Sequence, residues 1–260
     1  MAEIYDRLRD LLREQRAVAL ATVVAGPNVG AKMLVQPGAE PLGSLGDAGL
    51  DRVVARDTLA QLEAGLTSTR HYGVHGEARE EEVHVFIESF APPPRMIIFG
   101  AVDFTAALVR VAKVLGYRVT VCDARAVFAT VQRFPMADEV VNDWPDRYMA
   151  KVGEELGPRD AVCVLTHDHK YDVPAIAAAV RTNVGYIGAM GSRRTHEARS
   201  DRLREAGLTD EELARVMSPI GLDIGARTPE ETAISVCAEI IALRTGRCAR
   251  SLRDTSGPIH

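Results

Sequence analysis

The chain has 260 residues, 47% of them hydrophobic and 26% charged, and a formal net charge of −5; that size suits one large or two modest domains, and an acidic balance without a basic, aromatic-interleaved tract argues against nucleic acid as a partner. Cys122, Cys163, Cys237 and Cys248 stand far apart with no CxxC and no Cys/His ligand spacing, so structural thiols are expected and no metal site is. No apolar run approaches 18 residues and no signal-peptide pattern opens the sequence, which predicts a soluble cytoplasmic protein that does not engage a membrane.

Ile4, Leu8, Leu11 and Leu12 share one face of an amphipathic helix over Ile4 to Gln15. Ala17 to Val24 reads as a strand, and the turn Gly26-Pro27-Asn28-Val29-Gly30 delivers Ala31 to Val35 as its hairpin partner. A Gly-rich bend over Leu42 to Asp51 leads into a helix from Leu50 to about Gly65. Two short strands follow, His71 to Gly73 and Glu82 to Glu88, the second with Val83, Val85 and Ile87 inward. A small α/β domain over residues 1–90 is therefore expected. Ala91-Pro92-Pro93-Pro94 stiffens the backbone and removes donors, marking residues 91–95 as a linker.

From residue 96 to 260 strands and helices alternate. Strands are expected at Met96 to Phe99, Val119 to Cys122, Glu139 to Val141, Ala161 to Leu165 and Val184 to Ile187. Helices are expected at Phe104 to Leu115, Pro145 to Glu155, Val173 to Val180 and, after a charged helical hairpin, Pro229 to Leu243. The pattern is α/β, with a Rossmann-like doubly wound parallel sheet. Its first turn, Gly100-Ala101-Val102-Asp103-Phe104-Thr105, keeps the first glycine of a dinucleotide fingerprint but places Val102 and Thr105 at the second and third, and Asp103 adds negative charge where a phosphate would lie. Asp123 ends the second strand, where such units place the carboxylate that meets a ribose hydroxyl, and Arg125 stands beside it.

Ligands of doubly wound sheets bind beyond the carboxyl ends of the strands, so the loops there are the ones to interrogate. Thr166-His167-Asp168-His169 invites a metal reading but offers no third ligand. His167 is a candidate catalytic or ligand-positioning residue with Asp168 orienting it, against the alternative of a loop histidine satisfied by backbone. Gly188-Ala189-Met190-Gly191-Ser192-Arg193-Arg194-Thr195 has the makings of an anion cradle, with freed amides, hydroxyl donors and two guanidinium forks, against the alternative of a solvated Arg pair at a helix start. Gly221, Asp223 and Gly225 lie in a loop that ends in Thr228 as N-cap, Pro229 and Glu231, a helix whose positive end would point into the crevice. No G-x-S-x-G occurs, which argues against a serine hydrolase.

The segments Tyr186 to Thr195 and Pro219 to Glu231 closely resemble the two hallmark stretches of the XdhC/CoxI family of xanthine dehydrogenase accessory proteins, and Thr166-His167-Asp168, Arg133-Phe134-Pro135 and Ala137-Asp138 are similar to the family too. The resemblance implies a cytoplasmic, non-catalytic or weakly catalytic cofactor chaperone that binds molybdenum cofactor (molybdopterin, a phosphorylated pterin dithiolene) and assists its maturation and insertion into xanthine dehydrogenase or a related molybdenum hydroxylase. A cysteine desulfurase and a second copy of the chain are further partners it suggests. Gly100, Thr105, Asp123, Arg125, Gly188, Gly191, Ser192, Arg193, Arg194, Gly221, Asp223 and Gly225 are then the expected cofactor-binding residues, with His167 and Asp168 as any catalytic pair. The family also carries a Cys in its N-terminal Gly-rich segment; here that segment is Gly43-Ser44-Leu45-Gly46-Asp47-Ala48-Gly49-Leu50, and no Cys precedes Cys122. The alternative from the βαβ unit alone is an NAD(P)-dependent oxidoreductase with His167 as acid or base.

Overall fold

A computed structural model describes residues 2–77 and 80–256. The chain divides into two compact units, residues 1–92 and 93–260.

In the first unit, helix α1 (Ala2–Arg13) is followed by β1 (Val18–Ala25), β2 (Lys32–Val35), β3 (Leu42–Ser44), α2 (Ala48–Ala64), β4 (Ser68–Tyr72) and β5 (Val83–Phe90). The strands form one antiparallel sheet in the order β3-β2-β1-β5-β4. Alternation along β1 decides what lies on each face. Val18 and Leu20 pack with Leu11 and Leu8 of α1, whereas Ala19, Ala21 and Val23 pack with Leu50, Val54 and Leu62 of α2. Val83, Val85 and Ile87 are buried on the α2 side, as their spacing implies. β3 and most of β4 escape sequence reading because both are edge strands: β3 has three residues with Gly43 at φ +96, and Ser68 to His71 bring no apolar alternation.

In the second unit the order is β6 (Arg95–Phe99), α3 (Asp103–Val114), β7 (Arg118–Cys122), β8 (Glu139–Val141), α4 (Pro145–Val152), β9 (Ala161–Val164), α5 (His169–Ala179), β10 (Tyr186–Ala189), α6 (Arg193–Glu205), α7 (Asp210–Ala214), β11 (Val216–Met217) and α8 (Pro229–Thr245). Strand β6 opens at Arg95, one residue inside the stretch read as linker; its amide donates to Asp160 Oδ1 at 2.6 Å. The sheet is wholly parallel, in the order β11-β10-β9-β6-β7-β8, which is the doubly wound arrangement with its switch point between β6 and β9. Helices cover both faces, which is why Met96 to Phe99 of β6 and the whole of β9 read as unbroken apolar runs. Met96, Ile98, Val121 and Cys163 pack under α3 and α8, and Ile97, Phe99, Val162 and Val164 pack under α4, α5 and α6. No helix among the described residues is long and apolar enough to cross a membrane.

Candidate functional site

At the switch point the loops after β6 and β9 touch. Gly100 has φ +110 and donates its amide to Cys122 O at 2.9 Å; a Cβ there would sit 2.6 Å from the Thr166 methyl, so only glycine lets the two loops close up. Thr105, fully buried, donates its hydroxyl to Gly100 O and so ties the turn to the first residues of α3.

Asp123 is where the sequence puts it, at the end of β7, but it is engaged with the protein. Its carboxylate accepts from the Ala101 amide at 2.7 Å, from the Arg125 amide at 2.9 Å, and from Arg125 Nε and Nη2 at 2.9 and 2.8 Å. Burial pushes this carboxyl up, yet the Arg125 fork and the two amides outweigh burial and hold it below its ordinary range. The carboxylate expected to meet a ribose hydroxyl thus has four donors from the chain itself, and the Ala101 amide in the Gly100 turn is one of them. Arg133 reinforces the turn, donating to Ala101 O at 3.0 Å and pairing with Asp103 at 3.5 Å.

In the next loop Asp168 does not orient His167. It is the N-cap of α5, accepting from the Lys170 amide at 3.0 Å, and that cap starts the helix at His169 rather than at Val173. His167 is exposed, and its side chain makes no hydrogen bond among the described residues. Beneath it lies a group that sequence reasoning missed. Asp172 and Arg199 are 2% and 3% exposed, and Arg199 Nη2 meets Asp172 Oδ2 at 3.0 Å. Arg199 also donates to Met190 O at 2.6 Å and to Ser218 Oγ at 3.1 Å, while Asp172 accepts from the Thr166 hydroxyl. One ion pair thus joins the loops after β9, β10 and β11. Burial pushes the Asp172 carboxyl up, and Thr166 and Arg199 only partly offset it. The available signal was a charged residue on each helix's apolar stripe: Asp172 with Ile176 and Ala179, Arg199 with Leu203.

After β10, Ser192 caps α6 and accepts from the Thr195 amide at 3.2 Å. Arg193 and Arg194 are exposed and have no side-chain partner among the described residues. Gly188 belongs to the strand, where a Cβ would lie 2.5 Å from Ile220, so its role is close packing of the 219–221 turn. The Gly221 amide donates to Glu239 Oε2 at 3.0 Å, and Tyr186 donates its hydroxyl to the same oxygen at 2.6 Å. Asp223 and Gly225 are exposed, and the Asp223 carboxylate has no partner among the described residues. The capping box at α8 forms as read, Thr228 Oγ1 accepting from the Glu231 amide at 3.2 Å. Glu231 in turn accepts from the Arg227 and Thr228 amides at 2.7 and 3.0 Å. Glu231 thus covers the two amides that immediately precede α8, and the capped helix end expected at Pro229 is present. Among the described residues Arg193 and Arg194 remain cations without a carboxylate partner.

Residues 96–240, more than half of the chain, match the XdhC Rossmann domain, and residues 11–73 match the XdhC and CoxI family. The chain belongs to the XdhC family. Among curated relatives, a protein of Bacillus subtilis described as a probable xanthine dehydrogenase subunit is 34% identical over 165 residues, covering 64% of this chain and 47% of that one. The protein YqeB of Escherichia coli is 28% identical over 259 residues, covering 95% and 47%. The molybdenum cofactor insertion chaperone PaoD of Escherichia coli is 34% identical over 99 residues, covering 38% and 31%. This XdhC chain spans about half the length, or less, of these relatives. A crystal structure described as a xanthine dehydrogenase from Bacillus halodurans superposes with a TM-score of 0.55 at 20% identity, covering 97% of this chain and 98% of that one, a likeness of fold.

Three of the four thiols of this XdhC chain are withdrawn from solvent. Cys122, Cys163 and Cys237 are buried, and burial pushes Cys122 and Cys237 up to about 12 and Cys163 up as well. Cys248 alone is exposed. In the N-terminal Gly-rich segment Asp47 caps α2, accepting from the Gly49 and Leu50 amides at 2.8 and 3.0 Å, and His75 Nδ1 lies 2.8 Å from its other oxygen. The bond to Asp47 raises the His75 pKa. Among the described residues no group of three or more His, Cys, Asp or Glu side chains is placed to hold a metal ion.

Proposed function

We propose that this XdhC-family chain is an accessory protein for molybdenum cofactor, binding the cofactor as cargo and assisting its maturation and insertion into xanthine dehydrogenase or a related molybdenum hydroxylase. The observation that carries this reading is family membership joined to 34% identity, over 99 residues, with a relative named for inserting that cofactor. The chemistry of the crevice fits the phosphate end of such a cargo. Arg193 and Arg194 are unpaired among the described residues, Ser192 and Gly191 stand beside them, and guanidinium forks match phosphate oxygens in shape and charge. His167, Asp223 and Gly225, also exposed in loops that follow strands of this sheet, are the further polar residues we assign to this site. The dithiolene end is not served in the same way, because the buried thiols stay protonated near neutral pH. In this reading sulfur for maturation comes from a cysteine desulfurase, and the part of this chain is to hold and protect its cargo.

Purified protein mixed with molybdenum cofactor is expected to retain it on a sizing column. The double variant Arg193→Ala, Arg194→Ala should weaken retention by roughly ten-fold or more, since two charge-assisted contacts are lost. Retention unchanged in the double variant would remove the cradle, and no retention by the unaltered chain would remove cofactor binding.

A further inference from the structure

Beside the crevice, beyond the ends of β7, β8 and β9, cations and aromatic rings alternate. The Arg133 guanidinium lies 5.5 Å from the Phe128 ring centroid and Arg125 lies 4.6 Å from the same ring. Arg125 is also 5.8 Å from Tyr171, Lys170 Nζ is 5.7 Å from Tyr171 and 4.9 Å from Trp144, and the Tyr171 and Trp144 rings are 5.4 Å apart with a tilt of 44°. These six side chains come from three separate loops and helix starts, so the row is a product of the fold and not of one helix.

The rings are not core. Phe128 is 38% exposed, Tyr171 and Trp144 are half-buried, and Trp144 is the chain's one tryptophan. A side chain of that size is ordinarily held for the area it buries, and here part of that area stays open beyond the carboxyl ends of the strands, where ligands of this fold bind. The cations differ in a useful way. Arg125 is fixed by Asp123 and braces Phe128, whereas Lys170 has no carboxylate partner among the described residues and sits on a flexible stem. Lys170 can therefore leave the ring faces and meet an anion while a planar group takes its place. Asp123 being engaged, a ring bound here is held by stacking and by cation contact rather than by a ribose hydroxyl.

We infer that Phe128, Tyr171 and Trp144, with Arg125 and Lys170, form a stacking subsite for the planar fused nitrogen heterocycle of a phosphorylated ligand. The two sources of that chemistry are a pterin and a purine nucleotide; the pterin case rests on the cofactor reading above and extends it by naming where the ring lies, and the purine case does not rest on it.

Trp144 gives the full chain a built-in reporter. Titration with GMP, with pterin-6-carboxylate and with inorganic phosphate is expected to show saturable quenching of Trp144 fluorescence by one of the two ring anions and none by phosphate. Tyr171→Ala and Lys170→Gln should each raise the half-saturating concentration by roughly ten-fold; Lys170 is exposed, so its variant keeps the fold even if the tyrosine variant does not. Absence of saturable quenching by both ring anions at millimolar concentration, equal quenching by phosphate, or unaltered binding by Lys170→Gln and a folded Tyr171→Ala would each overturn the subsite. The two readings fail separately. Cofactor retained on the sizing column by the unaltered chain, with no saturable quenching by either ring anion, sinks the subsite alone, whereas quenching by GMP through Tyr171 without cofactor retention sinks the cofactor reading alone.

Discussion

Asp123 takes four hydrogen bonds on one carboxylate, two from backbone amides and two from the Arg125 fork, and so closes the turn after β6 against the end of β7. Asparagine has the same shape but no charge, and it cannot accept at both positions. Asp123→Asn is expected to lower stability near neutral pH by about 2 kcal/mol, the scale of hydrogen bonds to a charged group. The sign with pH follows from the depressed folded value. Stability from this carboxylate is fully present above its unfolded pKa of about 3.9 and is lost as pH falls through the lower folded value. Urea unfolding of both proteins should therefore show a gap near neutral pH that shrinks as pH falls below the unfolded value of about 3.9; a gap independent of pH would leave the charge out of the account. The position of Asp123 was legible in the sequence because a strand end after a βαβ unit is a fixed landmark. Its engagement was not, since the decisive partner, the Ala101 amide, reaches it only after the fold has formed. The Asp172–Arg199 pair was hidden for the same reason, 27 residues apart and on different helices.

At the scale of elements, helix ends were legible wherever the cap is local. Thr228, Pro229 and Glu231 announce α8, and the structure forms the reciprocal box. Thr228→Ala should cost about 1 kcal/mol, with Thr228→Ser recovering most of it; a chevron or equilibrium urea series separates the two, and equal loss in both variants would mean that the hydroxyl is not the source. The start of α5 was misjudged because Asp168 was credited with orienting a histidine, whereas its short carboxylate suits the Lys170 amide two residues on. Strands β3 and β11 went unread for a different reason. Each is a two- or three-residue edge element whose existence depends on a neighbour's free ladder groups, and nothing in so short a run carries a period.

At the scale of the whole molecule, the alternation of apolar runs with helical stripes from residue 95 onward was enough to read a parallel doubly wound sheet, because burial on both faces imposes a composition that few other arrangements need. What the alternation could not order was the strands themselves. Order is set by which helices cover which face, through pairs such as α3 with α8 that lie over 100 residues apart in sequence. That coverage carries a prediction. The sheet of residues 93–260 has its own hydrophobic clusters on both faces, built from its own strands and helices. A segment of that length lies within the range in which one domain sustains a core. We therefore propose that residues 93–260, expressed alone, fold: far-UV circular dichroism should show the mixed α/β signal, and urea should unfold the fragment in one cooperative transition whose midpoint agrees by fluorescence of Trp144 and by dichroism. Non-coincident probes or a sloping, uncooperative loss of signal would mean that the two-faced core is insufficient by itself and that the segment before residue 93 contributes to its stability.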